Sequence, residues 1–230
     1  MADLSPQPSA PVSLAPRQKR SRETLRRILD GFEAALREQT FEEVKVQDIC
    51  NRAGCSIGTF YGRVESKEGL LDLLRDRVYG EVEGQLPRLF DPKEAARRPL
   101  AETLQRQSRA LVELHIQRRG VIRALIVQAR RRSEFAEYTR VFNEMMLRRV
   151  SETWMERAEE IRHDDPLGAT EQAALMSAGY LRESVVFGDL WPTRRPLTAA
   201  EHARTLYRVT AAFLLGAAPD TGFSAEEDHE

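Results

Sequence analysis

Only two cysteines occur in 230 residues, Cys50 and Cys55. Their closeness at a helix–turn boundary excludes a disulfide framework. A metal site would need further Cys or His ligands at short spacing, and none lies nearby. Both cysteines fall instead where a turn between helices needs small apolar side chains. No apolar run reaches the ~20 residues of a membrane-spanning helix. The N-terminus has neither a basic stretch nor an uninterrupted apolar core, so no secretory signal is expected and the chain is assigned to the cytoplasm. Net charge is −1, which excludes an overall pull towards nucleic acid or membrane. No segment has the pattern of a strand, and there is no internal repeat. What remains is an all-α chain, long enough for one sizeable core or two small ones.

The charge that is present is unevenly spread. From Arg17 to Arg27 six basic residues (Arg17, Lys19, Arg20, Arg22, Arg26, Arg27) stand against Glu23 alone, while residues 220–230 are acidic. A basic run beside a DNA-reading motif is the electrostatic footprint of nucleic-acid binding; without the motif it is a solvated face. Residues 1–16 carry four prolines among Ser, Ala and Gln, too little apolar surface to offset ordering entropy, and disorder is expected there.

Helical periodicity runs through the rest. A first helix is expected over 22–39, capped by Ser21, with Leu25, Ile28, Leu29, Phe32, Ala35 and Leu36 on one stripe. Ser66 caps another over 67–84. Pro87, Pro92 and Pro99 break the chain between 87 and 99 and predict irregular structure or a short helix there. Helices follow over 100–117 and 121–131, with Gly120 separating them. Another, capped by Ser133, runs to about 162, and 164–168 forms a loop. The last two segments, 170–190 and 198–217, are apolar on more than one face and rich in small residues, which requires cover on two sides.

The most specific stretch is 46–71, VQDICNRAGCSIGTFYGRVESKEGLL. Val46, Ile49, Cys50 and Ala53 have helical spacing, Gly54 stops that helix, and Ser56 caps a second short one. Two short helices joined by a tight glycine turn form a helix-turn-helix. Together with Ile28-Leu29, Asp48-Ile49, Ala53-Gly54, Thr59-Phe60-Tyr61, Ser66-Lys67-Glu68 and Leu70-Leu71, this stretch resembles the TetR family of transcriptional regulators. Thr40, Lys45 and Val64 depart from the family pattern without removing a groove-facing group.

The resemblance implies an N-terminal three-helix DNA-binding domain (17–66), a connecting helix (67–84) and a helical effector-binding and dimerisation domain (85–218). These lie between a tail at 1–16 and an acidic tail at 219–230. It implies a homodimer through 170–190 and 198–217 on a pseudo-palindromic double-stranded DNA operator, acting as a repressor released by a small molecule, with no cofactor and no membrane. DNA contacts are expected from Ser56, Ile57, Gly58, Thr59, Tyr61, Arg63 and Lys67, joined by Arg22 of the basic run. Arg63 suits guanine or phosphate, Ile57 a thymine methyl, and Tyr61 and Lys67 phosphate.

Charges in apolar helices are costly unless paired or lining a cavity. Arg123, Arg182 and Glu183 are therefore candidates for an effector pocket with Tyr138, Phe142, Met146 and Trp154; a surface or interfacial salt bridge is the alternative. Gly54-Cys55-Ser56-Ile57-Gly58 also matches G-x-S-x-G, so a small helical serine hydrolase using Ser56 is the competing reading. That motif needs a preceding strand, and here a helix precedes it. His163-Asp164-Asp165 fits a helix end and a solvated loop better than a metal site.

Overall fold

The computed structural model describes residues 16–190 and 194–216. The expected tails, apart from Pro16, and the Trp191-Pro192 break lie outside them. Among the described residues there are ten α-helices and no strand. The first three are α1 (Pro16–Leu36), α2 (Val46–Ala53) and α3 (Ile57–Tyr61); α4 (Lys67–Leu89), α5 (Pro92–Ala95), α6 (Leu100–Gln117) and α7 (Arg119–Ala129) follow. The last three are α8 (Ser133–Trp154), α9 (Pro166–Tyr180) and α10 (Ala199–Leu215).

Helix α1 begins six residues earlier than expected. Pro16 opens it, a position where the missing N–H costs nothing, so Ser21 lies inside the helix rather than capping it. It ends at Leu36, and the turn beyond closes without a glycine. Glu43 does the work there, its carboxylate accepting from Thr40 N at 2.9 Å and Thr40 Oγ1 at 2.8 Å.

The expected break at Pro87 is absent, because α4 continues to Leu89. Leu71, Leu74, Val78 and Leu86 are buried along it, and Phe90 just beyond is buried too. Side chains of this kind each contribute about 1.5–3 kcal/mol on full burial. Together they outweigh the ~3 kcal/mol of a helical proline.

The other boundaries also shift. Gly120 lies within α7, and the break from α6 falls at Arg118. Ser133 is the first residue of α8, with Arg132 at the cap. That helix stops at Trp154, since Arg157 leaves helical geometry at φ −127°, ψ 40°. α9 starts at Pro166, its end capped by Asp165, whose carboxylate accepts from Gly168 N at 3.0 Å. A π-helical turn over Leu181–Val186 and a short 3-10 turn over Gly188–Leu190 replace the rest of the predicted 170–190 helix. Thr198 caps α10 as part of a full capping box with Glu201. His163 does meet a helix C-terminus, but that of α10: its Nε2 lies 2.6 Å from Phe213 O, beside the bond from Arg162 N to Leu214 O at 2.8 Å.

Three apolar cores organise these helices. The first joins α1, α2, α3 and the start of α4, and is completed by Val121, Ala124 and Leu125 of α7 and Phe135 of α8. The second lies under α4, α6, α8, α9 and α10, and a small third joins α6 and α10 to the π turn. The N-terminal head thus shares its core with α7, which holds it at both ends. At one, Arg118 bonds Glu33 at 3.1 Å; at the other, Arg131 pairs with Glu42.

Candidate nucleic-acid interface

Helix α2 ends at Gly54, whose φ of +61° is the left-handed conformation that favours glycine. Cys55 N donates to Cys50 O at 3.0 Å and Gly54 N to Asn51 O at 3.4 Å. These are the two bonds of a Schellman ending. Arg27 of α1 adds its Nη1 to the freed carbonyls, 3.1 Å from Ala53 O. The turn is thereby fixed from three directions, and it delivers Ser56 to the start of α3.

Ser56 caps α3, its Oγ accepting from Thr59 N at 3.1 Å and lying 2.9 Å from Thr59 Oγ1. The hydroxyl bonds its own helix rather than an imidazole, and a helix precedes it, so nothing of a nucleophile elbow is present. Phe60 and Val64 are buried and pin α3 to the head. Rotating from that anchor, Ile57 and Tyr61 come out 43% and 54% exposed. Arg63 is exposed beyond the helix, its Nη1 only 3.1 Å from the neighbouring Gly62 O. Ser56, Ile57, Gly58, Thr59, Tyr61 and Arg63 therefore lie on one short, outward-facing segment.

The two remaining expected contacts differ from each other. Arg22 is exposed on α1, close along the chain to exposed Arg20. Arg26 beside it is held by Glu23 and Asp30. Lys67 instead turns inward. Its ammonium donates to the carbonyls of Phe41 at 2.7 Å, Val44 at 2.9 Å and Glu42 at 3.3 Å, and sits 4.5 Å over the Phe41 ring. All three donors of the ammonium are occupied within the protein.

The residues named for an effector pocket are dispersed. Tyr138 is 58% exposed and lies over the Arg75 guanidinium at 4.1 Å. Phe142 stacks on Tyr79 with ring centres 4.0 Å apart. Trp154 is buried and donates from Nε1 to Gln107 Oε1 at 2.6 Å; Gln107 in turn donates to Leu89 O at 3.1 Å. Met146 packs at the edge of the second core, as does Met145. Arg182 and Glu183 pair with each other at 2.8 Å, both half-exposed, and Arg123 reaches Val186 O and Asp189. Sequence reasoning missed Gln107, a polar residue on the buried face of α6. Among the described residues no group of three or more His, Cys, Asp or Glu is placed to hold a metal, and no helix is long and apolar enough to cross a membrane.

Residues 28–74, spanning this motif, match the family model described as bacterial regulatory proteins, tetR family. The head is therefore a DNA-binding domain of the tetR type. A solved TetR-family transcriptional regulator from Mesorhizobium loti MAFF303099 is 18% identical, with 87% of this chain and 97% of that one covered at a TM-score of 0.63. A transcriptional regulator from Rhodococcus sp. Rha1 is 16% identical, covering 86% and 98% at 0.61. GusR of Salmonella enterica is 20% identical, covering 83% and 95% at 0.55. At such identities the likeness is one of fold, and it extends the TetR-like architecture over the body as well as the head. No curated protein matches the sequence.

Proposed function

We propose that this chain is a cytoplasmic, non-enzymatic TetR-family repressor that binds a pseudo-palindromic operator as a homodimer and leaves it on binding a small apolar effector. The observation that carries the DNA reading is the capped helix α3, anchored by buried Phe60, which exposes Ile57 and Tyr61 with Arg63 just beyond. Helix-turn-helix proteins present the first residues of the second helix to base edges. Ile57 suits a thymine methyl, Arg63 guanine or phosphate, and Tyr61 and Arg22 phosphate oxygens.

Support for the dimer comes from the other end of the molecule. Leu175 is 74% exposed, and Met176 of α9 and Val209 of α10 are exposed as well. Gly179 on the same helix has nothing within 4 Å of where its Cβ would stand. A second copy covering this face would bury on the order of 1,500 Å² in total. It would also set two α3 helices on a two-fold axis, matching half-sites about one helical turn apart or a multiple of it. In this reading residues 17–66 read DNA, 67–84 connect, and 85–218 bind effector and partner.

The effector would enter the second core, where Trp154 and Gln107 form a buried polar pair. One turn before Gln107 on α6, Thr103 has a buried Oγ1 with no hydrogen-bond partner. An apolar molecule with one polar group would satisfy it. Release from DNA requires the ligand to prefer the non-binding arrangement, by about 1.4 kcal/mol for each tenfold loss of affinity.

The test is fluorescence anisotropy on the chain's own upstream DNA, paired with sedimentation. A dimer that binds this DNA, weakened by Arg63→Ala and rendered monomeric by Leu175→Arg, is the expected result. A micromolar monomer, or DNA affinity indifferent to Ile57→Ala and Arg63→Ala together, refutes the reading.

A further inference from the structure

We infer that Cys50 and Cys55 form a reversible dithiol–disulfide site, which a hydroperoxide oxidises and which then displaces the start of α3. The inference rests on the DNA-binding reading for its consequence, not for its chemistry.

The geometry comes from the Schellman ending of α2. Such an ending brings the side chains of its first and last hydrogen-bonded residues together, and here those residues are Cys50 and Cys55, joined by the 3.0 Å bond from Cys55 N to Cys50 O. With ordinary bond lengths that contact limits their Cα separation to at most about 6.9 Å. Disulfides bridge Cα atoms about 4.4–6.8 Å apart. Both residues belong to the head's apolar core, Cys50 with no exposure and Cys55 half-buried at its edge, and both are free thiols. The thiols also sense each other: burial, then the hydrogen bond and charge of the Cys55 thiol beside it, push the Cys50 thiol up to about 11.

The asymmetry in exposure orders the chemistry. Cys55, the reachable thiol, attacks the terminal oxygen of the hydroperoxide as its thiolate. The O–O bond breaks, Cys55 becomes a sulfenic acid, and with hydrogen peroxide as oxidant one water leaves. The Cys50 thiol then displaces the hydroxyl of that sulfenic acid, forming the S–S bond and releasing a second water. Two thiols are oxidised by two electrons and one peroxide is reduced. Because the Cys50 thiol holds its proton tightly, this second step is slower than it would be for an ordinary thiol. Transient disulfides of this sort are the usual cytosolic kind.

Closing the bond brings the two sulfurs to about 2.05 Å. Helix α2 resists the movement, since Ile49, Cys50 and Ala53 are buried and Arg27 grips the Ala53 carbonyl. The displacement falls on Cys55, next to Ser56 and Ile57, where α3 would meet base edges.

The experiment uses the full chain, reduced or treated with hydrogen peroxide. It combines thiol alkylation, intact mass, and anisotropy on the chain's own upstream DNA. Oxidation should remove both alkylatable thiols with a mass loss of about 2 Da, and lower DNA affinity by about tenfold or more; dithiothreitol should restore it. Cys55→Ser should bind DNA when reduced and ignore peroxide. Cys50→Ala should stop at the sulfenic acid, about 16 Da heavier. Two thiols that both survive peroxide overturn the site. A disulfide that leaves affinity unchanged overturns the displacement, as does an affinity loss that persists in Cys55→Ser. Reduced protein that ignores the DNA fails the DNA reading instead, and the thiol count still decides the chemistry.

Discussion

A Cβ on Gly120 would stand 1.9 Å from the carbonyl oxygen of Leu36 and 3.0 Å from Arg37 N. Real Cβ atoms do not approach backbone so closely. The first turn of α7 therefore meets the last turn of α1 backbone to backbone, and no other residue type fits without moving one helix. The head is fixed against the body at this point, while Lys67 of α4 and Arg131, just beyond α7, hold the turn at residues 40–44.

Replacing Gly120 by alanine should accordingly force the two helices apart. The expected loss is about 1–3 kcal/mol, the usual range for overpacking. For a chain of this size that lowers the melting temperature by about 2–4 °C per kcal/mol. Gly80 gives the contrast: it is exposed on α4 with nothing within 4 Å of its Cβ position. Gly80→Ala should stabilise by about 0.5–1 kcal/mol through reduced chain entropy. Thermal melts that move in the same direction for both variants would contradict the contact.

Lys67 supplies a second prediction. An ammonium bound to three carbonyls is a clamp between the start of α4 and the α1–α2 turn. Hydrogen bonds to a charged group contribute about 1.5–3 kcal/mol, so Lys67→Met should destabilise by an amount of that order. Its DNA affinity should fall through the loosened head, with the salt dependence unchanged. A phosphate-binding lysine behaves otherwise, flattening the slope of log affinity against log salt by about one on removal. Binding isotherms at several salt concentrations separate the two roles.

The contrast between Lys67 and Ser56 shows what the sequence could and could not say. Ser56 caps α3 through Thr59, three residues on, and the pinning of α3 by Phe60 and Val64 follows from helical spacing; both are local. The partners of Lys67 lie 23 to 26 positions away and become neighbours only when α1, α2 and α4 close on one core. Pro87 is a strong local stop signal, overruled by the burial of Leu86 and Phe90. The aromatic spacing on α8 is real, but its neighbours are supplied by other helices. Tyr138 meets Arg75, Phe142 meets Tyr79 and Trp154 meets Gln107.

Acid should weaken the fold through two histidines. Burial lowers the His115 pKa against the raising effect of its bond to Leu111 O; burial also lowers that of His202, with Arg119 assisting and Glu201 opposing. A folded pKa below the unfolded one means that the unfolded chain takes up protons first. Their contribution is complete above about pH 6.5 and is lost as pH falls towards the folded values. Glu201 is not the source, since the Arg195 hydrogen bond, ahead of its backbone bond to Thr198, holds it at about 2, ionised throughout this window. Urea midpoints at pH 7.5 and 5.5 should differ, and His115→Gln, whose amide can still donate to Leu111 O, should narrow the gap. An unchanged gap in both His115→Gln and His202→Gln would assign the acid sensitivity elsewhere.

The π turn after α9 leads to the last prediction. A π-helical turn shifts the backbone register and leaves carbonyls without helical partners. Val186 O is taken up by two arginines of α7, Arg119 Nε at 3.1 Å and Arg123 Nη2 at 2.9 Å, which both also bind Asp189. One carbonyl with two charged donors keeps a partner when either is lost. Arg119→Ala and Arg123→Ala should each cost well under 1.5 kcal/mol, whereas the double variant leaves a buried acceptor bare and adds about 1–3 kcal/mol. A double-mutant cycle read by urea denaturation therefore yields a coupling energy well above the ~0.5 kcal/mol expected of independent sites. Simple additivity would show that the turn does not depend on these arginines. The same turn closes the end of α9, whose exposed Leu175 and Met176 belong to the proposed dimer face. The double variant should consequently raise the dimer dissociation constant measured by sedimentation, while each single variant leaves it near that of the parent chain.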